Sequence, residues 1–322
     1  MWKNDISAWC GAIYWREAFL GVPGIILVLT LSGIFNGTQL MVMLGAAFSV
    51  AFGAARTLGK RRWGAMLAAV LGMAVAAFIG SIAGFHPPLM LILTALLAAA
   101  CAALASYDNS LWWVMLQVGV AFMIAGYYPN HSEHAALRAL AVLFGGLLQI
   151  GCTMLFAHLS PKNAAPLPDS PPIAKNQSWR FVVAIALAVA AALYSAQYFG
   201  LKNDYWAPMS AFLILRPVAQ ATLTRGINRL IGTLLGCVVA TLLIYAFHDN
   251  LPILVFFLLL TVAGALAMQR AHYGLFSFMV SATIVLLIAL GHGDPIATTE
   301  HRLIATLLGG AIAIAMAKLF RL

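Results

Sequence analysis

Apolar runs of about twenty residues, separated only by short polar stretches, recur from end to end of this chain and leave few folds open to it. Residues 63–84, 87–105 and 110–127 are examples: none shows the period-two alternation of a strand with one wet face. Twenty residues at helical rise match a hydrocarbon core about 30 Å thick, and a helix satisfies its own backbone groups in lipid. Composition agrees. Hydrophobic residues make up 63% of the 322 and charged residues 8%, against about 25% charged in a soluble domain.

The pattern predicts an all-α integral membrane protein of about twelve transmembrane helices. The first six runs are 17–34, 38–55, 63–84, 87–105, 110–127 and 136–158; the last six are 180–199, 205–222, 229–247, 251–268, 273–290 and 299–319. Residues 160–178 carry five prolines and no apolar periodicity, which reads as a water-exposed linker. The expected domains are therefore a six-helix repeat over 1–159, the linker over 160–178, and a second six-helix repeat over 179–322. Trp2, Ile6, Trp9 and Ile13 recur at helical spacing ahead of the first run, the pattern of an interfacial helix lying on the lipid surface.

The net charge of +9 sets topology rather than marking a nucleic-acid partner. With the N-terminus cytoplasmic, fifteen of the 18 lysines and arginines fall on or toward the cytoplasmic side. Arg138, Lys202 and Arg302 fall outside. Both termini and the linker are then cytoplasmic. Cysteine spacing gives no CxxC pair, and no signal-peptide cleavage pattern opens the chain.

The halves resemble each other. "LRALAVLFGGLLQI" from Leu137 matches "HRLIATLLGGAIAI" from His301 at an offset of 164, pairing Arg138 with Arg302 and Gly145–Gly146 with Gly309–Gly310. "RRWG" ending at Gly64 matches "NRLIG" ending at Gly232 more loosely, placing Arg61 opposite Arg229, with Phe48 near the place of Arg216. An even number of spans per half gives both copies the same orientation.

Arg216 and Pro217 stand inside an apolar run, ten residues beyond Trp206, so about 15 Å deeper at helical rise. A central arginine costs at least ~2.5 kcal/mol even on the permissive insertion scale, and proline breaks the helix beside it. A broken helix is tolerated where it lines a polar cavity or is buried in protein. The candidate is an anion site in which Arg216 and backbone N–H groups freed at the break meet a carboxylate; headgroup snorkelling is the competing expectation. Arg225 and Arg229 share a helix face and would draw anions to the cytoplasmic mouth, or anchor the chain by the positive-inside rule. Gly232 and Gly236 form a GxxxG pattern for close helix packing. Tyr205 and Trp206 read as aromatic-belt residues that could also stack on an aromatic ring. Arg138 and Arg302 are candidates to line the outer mouth. The outer loops hold His131, Glu133, His134, His292, Asp294, Glu300 and His301 without a defined metal spacing. No P-loop, HExxH or GxSxG motif is present, so no enzyme, cofactor or metal is expected.

Tyr205, Trp206, Pro217, Thr222, Arg225, Arg229, Gly232, Thr233 and Gly236 together resemble the fusaric-acid-resistance family, also called aromatic acid exporters, and more distantly the plant aluminium-activated malate transporters. The resemblance implies an inner-membrane exporter of organic anions, with a small organic anion as substrate. It also implies contact with membrane lipids and work alongside a periplasmic adaptor protein. Many family members carry a soluble domain between the halves, where this chain has only its proline-rich linker. A passive anion channel and a non-transporting scaffold subunit are the alternatives, and assembly as a homo-oligomer stays open.

Overall fold

The computed structural model of the protein describes residues 13–160 and 179–322, apart from 32, 33, 36, 60, 62 and 292–294. The expected interfacial helix around Trp2, Ile6 and Trp9, and residues 161–178 of the expected linker, lie outside the described residues.

The described residues form twelve α-helices and no strand apart from one isolated bridge between Leu58 and Arg61. They are α1 (Trp15–Thr30), α2 (Gly37–Ala51), α3 (Gly64–Ala83), α4 (Pro87–Leu104), α5 (Asn109–Tyr127), α6 (Ser132–Leu159), α7 (Trp179–Tyr198), α8 (Trp206–Ile214), α9 (Ala219–Phe247), α10 (Leu251–Ala267), α11 (Tyr273–Leu290) and α12 (Pro295–Leu319). Each lies on one of the apolar runs. Eight are long and apolar enough to cross a membrane; α1, α2, α8 and α10 are 16, 15, 9 and 17 residues long. The eighth run departs most from expectation. It is not one span over 205–222: α8 stops at Ile214, and α9 begins at Ala219, ten residues before the expected start at 229. Pro217 has no N–H for the ladder and disfavours helical backbone at Arg216.

The helices group into two compact units. The first comprises residues 1–55, 145–168 and 227–300; the second comprises 56–144, 169–226 and 301–322. Inside the first, α1 packs on α2 and α10, and α10 on α11. Gly232 and Gly236 let α9 approach α11 so closely that a Cβ would stand 2.2 Å from the Gly274 carbonyl oxygen and 2.4 Å from that of Phe278. A side-chain amide also helps hold this unit: Gln149, wholly buried, donates to the Gly21 carbonyl (3.0 Å) and the Thr153 hydroxyl (3.1 Å).

Inside the second unit, α3 packs on α5, α4 on α5 and α7, and α7 on α8. Gly80 and Gly84 of α3 lie against the Phe122 and Gly126 carbonyls as Gly232 and Gly236 lie against α11. Ala76, Ala83, Met90, Phe122 and Leu193 form an apolar core there.

A shift of 164 residues carries each unit's pairings onto the other's. Helices α1 and α7 start at 15 and 179, α4 and α10 at 87 and 251, and α5 and α11 at 109 and 273. Thus α1 on α10 corresponds to α7 on α4, and α1 on α2 to α7 on α8. Gly145 approaches the Met43 carbonyl, while Gly309 approaches that of Ala207, 164 positions on from Met43. Each unit takes its first two helices from one half of the sequence and its third to fifth, α9 in large part, from the other. In this register Arg61 falls opposite Arg225 rather than Arg229, and Phe52 rather than Phe48 takes the place of Arg216.

Candidate functional site

Helix α8 organises the second unit's polar residues. Eight of its nine residues are buried, and its C-terminal end should be costly, because Pro217 leaves the Leu213 carbonyl without its i+4 donor. Arg225 supplies that donor: its Nε reaches the Leu213 oxygen at 2.8 Å. Thr222 closes the other side. Its hydroxyl accepts from the Arg216 amide (3.0 Å) and donates toward the Arg216 and Val218 carbonyls (3.2 and 3.1 Å). The threonine and arginine of the sequence pattern therefore stitch the break. The Arg216 N–H, considered from sequence as a ligand group, is held by Thr222.

With its backbone settled in this way, Arg216 projects its guanidinium 5.9 Å from the centre of the Trp112 ring, within cation–π range. The side chain is half-buried. Trp112 sits in the first turn of α5, which is held firmly. Asp108 caps the helix by accepting from Ser110 and Leu111 amides (2.6 and 2.9 Å). Arg56 lies 5.4 Å from the Trp113 ring centre and donates to the Asn109 carbonyl (3.2 Å).

At the other end of α8, Tyr205 and Trp206 are buried in protein, at 5% and 4% exposure. This is not the lipid-facing placement of belt residues. Tyr205 meets Tyr127 edge-on at 5.3 Å and lies tilted against Trp206 at 4.9 Å. The Arg302 guanidinium lies 3.8 Å from the Trp206 ring centre, and Arg302 is 2% exposed. One turn along α8, the Ser210 hydroxyl is buried without a hydrogen bond, as is the Trp206 indole N–H. Arg138, the sequence counterpart of Arg302, has a different task. It donates to the Ala125 and Tyr128 carbonyls (3.2 and 2.7 Å) at the C-terminal end of α5 and to the Ser81 hydroxyl.

In the first unit Arg229 is 7% exposed and donates to the Tyr273 hydroxyl at 3.3 Å. Ser277 donates to the Arg229 carbonyl (3.3 Å), and Thr233 lies 3.4 Å from both the Ser277 and Ser281 hydroxyls. Although Arg225 and Arg229 are one turn apart in α9, they belong to different units and do different work.

Residues 187–316 match the family described as fusaric acid resistance protein-like. The matched stretch lies in the C-terminal half and runs from within α7 into α12, so it includes α8, the break, and Arg302. Among curated relatives, an uncharacterized protein of Synechocystis is 34% identical over 36% of this chain and 16% of its own length. The uncharacterized transporter YdhK of Salmonella typhimurium is 30% identical over 36% and 17%. The p-hydroxybenzoic acid efflux pump subunit AaeB of Salmonella arizonae is 33% identical over 21% and 12%. The chain spans less than a fifth of the length of these relatives. No solved structure matches it.

The matched stretch holds Tyr205, Trp206, Arg216 and Arg302, but the rings on which the second unit rests Arg216 and Arg56 come from outside it. Trp112, Trp113 and Arg56 carried no motif signal: a tandem tryptophan at the end of an apolar run looks like an interface anchor.

Proposed function

We propose that the chain is the membrane part of an efflux transporter for organic anions, aromatic carboxylates among them, in a bacterial inner membrane. One observation carries the proposal: the nine-residue helix α8 has a guanidinium laid against a tryptophan face at each end, Arg216 on Trp112 and Arg302 on Trp206. A guanidinium beside an aromatic face offers a carboxylate its charge and an aromatic ring its stacking surface. Two such stations joined by one broken helix suit a route that takes an anion at one end and releases it at the other. Arg225 and Thr222 keep that helix broken. Arg229, Gly232 and Gly236 maintain the α9–α11 contact, and Arg138 holds the end of α5 near the outer station.

The helix correspondence at 164 residues supports two six-helix repeats in one orientation, and the distribution of lysine and arginine supports cytoplasmic termini and linker. The matched efflux pump subunit supports work with a further component, such as a periplasmic adaptor. Lipids surround the chain in this proposal.

The test is flux from proteoliposomes holding the purified full chain, with p-hydroxybenzoate inside. Arg216→Gln is expected to lower flux at least about tenfold, since a charge-assisted contact of ~1.5–3 kcal/mol is lost. Flux of the parent should saturate and collapse with protonophore. Current that follows the anion gradient alone would identify a channel instead, and undiminished flux in Arg216→Gln would remove the anion site.

A further inference from the structure

Among the described residues, the 164-residue correspondence isolates one difference between the two units. At the end of α2 in the first unit, Phe52 meets Phe276 edge-on at 5.9 Å between ring centres. At the end of α8 in the second, the corresponding residues are Arg216 and Trp112, with the guanidinium carbon 5.9 Å from the ring centre. The two pairs occupy corresponding sequence positions at the ends of corresponding helices. An apolar ring pair in one unit has become a cation and a larger, electron-rich ring in the other.

The surroundings make the second version a prepared surface. Trp112 belongs to a capped first turn, next to Trp113, whose ring carries Arg56. Its own carbonyl receives the Cys101 thiol at 3.5 Å. Neither Arg216 nor Trp112 is sealed; both are half-buried, whereas Trp113 is 3% exposed. A ring held rigidly and left partly open loses little entropy when a flat ligand lies on it.

We infer that Trp112 is the ring-selecting residue of the Arg216 site: Arg216 takes the carboxylate, and the indole face selects a planar aromatic acid over an aliphatic one. The first unit has no such site, because Phe52 and Phe276 offer a ligand carboxylate no cation. This inference rests on the anion-efflux proposal and assigns its aromatic preference to one side chain.

The experiment compares benzoate with cyclohexanecarboxylate, its saturated counterpart, in the same proteoliposomes. The parent is expected to favour benzoate. Trp112→Leu should cut that preference about fivefold, the scale of one aromatic pair, mostly by slowing benzoate. Phe276→Leu, the corresponding change in the first unit, should leave the ratio alone. Saturable quenching of tryptophan emission by 4-nitrobenzoate should fall in Trp112→Phe, which keeps a ring for packing, to the part that Trp113 and the Trp206 station contribute. It should persist in Phe276→Leu, and this binding readout decides the matter even if Trp112→Leu does not assemble. An unchanged ratio in Trp112→Leu, or full quenching in Trp112→Phe, overturns the assignment of Trp112 while Arg216→Gln still abolishes flux. Normal flux of both acids in Arg216→Gln overturns the anion site itself.

Discussion

Phe52 with Phe276 and Arg216 with Trp112 occupy corresponding places in two units built on one helix pattern. Their difference separates what the fold requires from what has been added to it. The fold requires two side chains that meet where the second helix of a half ends. Two phenylalanines do this without burying charge. The second unit instead places a cation there, beside the break at Pro217, and Thr222 and Arg225 satisfy the backbone groups that the break exposes. Among the described residues, the first half of the sequence shows no such stitch at the corresponding positions, which lie in the second unit too. The counterparts of Thr222 and Arg225 are Leu58, in a short bridged turn, and the exposed Arg61.

Breaking this comparison is most direct at the arginines. Arg225→Leu should strip the Leu213 carbonyl of its charged donor and lower stability by about 1.5–3 kcal/mol, whereas Arg61→Leu should change it by less than about 0.5 kcal/mol. Thermal melting of the two purified variants in detergent would compare them. Equal losses would mean that Arg225 does no more at the break than an exposed arginine does in a turn.

The glycines probe where the units agree. A Cβ at Gly145 would stand 2.4 Å from the Met43 oxygen, and one at Gly309 2.2 Å from the Ala207 oxygen. Backbone cannot swing aside as a side chain can. Gly145→Ala and Gly309→Ala should each cost about 1–3 kcal/mol, the range for overpacking, and should match each other within about 0.5 kcal/mol. Melting of both variants tests this, and a large disparity would break the correspondence there.

Thr222→Val sharpens the contrast on a smaller scale. It removes the hydroxyl that serves the Arg216 amide and should cost about 1 kcal/mol. The counterpart change Leu58→Val, at a half-exposed turn residue, should cost less. Both are measurable from the same melts.

Much of this was legible in the residues, and the failures have physical causes. Helix positions followed from unbroken apolar runs, because each run has one state in lipid. The break followed from Pro217, whose chemistry is local. Where the freed groups find partners did not follow. Arg225 reaches a carbonyl twelve residues back, and nothing in a motif tells a cation facing a ligand from one facing a carbonyl. Repeat matching slipped by four residues, pairing Arg61 with Arg229 and Phe48 with Arg216. Four residues are nearly one helical turn, so both registers present similar faces, and the helix starts at 164-residue spacing, with the offset between Arg138 and Arg302, separate them. Arg138 and Arg302 align perfectly and yet differ, since one serves carbonyls and the other a tryptophan face.

The smallest expected effect concerns Asp204, whose counterpart at the shift of 164 is the apolar Leu40. Asp204 lies in the turn before α8 and lines a cavity of ≈ 30 Å³ in the second unit, room for about one or two water molecules, with Tyr127 and Gln197 beside it. Burial pushes its carboxyl above the ordinary value; bonds from Gln197 and the Tyr205 amide oppose the shift in part. The raised affinity for a proton fixes the sign. The neutral acid is the better-tolerated form in the fold, so its stabilising contribution is full below the ordinary carboxylate value near ~4. That contribution is lost as pH climbs through the raised one. Asp204→Asn keeps the acceptor for Gln197 and Tyr205 but cannot ionise. It should melt above the parent at neutral pH and converge with it at the acid end, with the gap opening in the window just above ~4. A gap independent of pH would mean that Asp204 ionises as freely in the fold as in the unfolded chain.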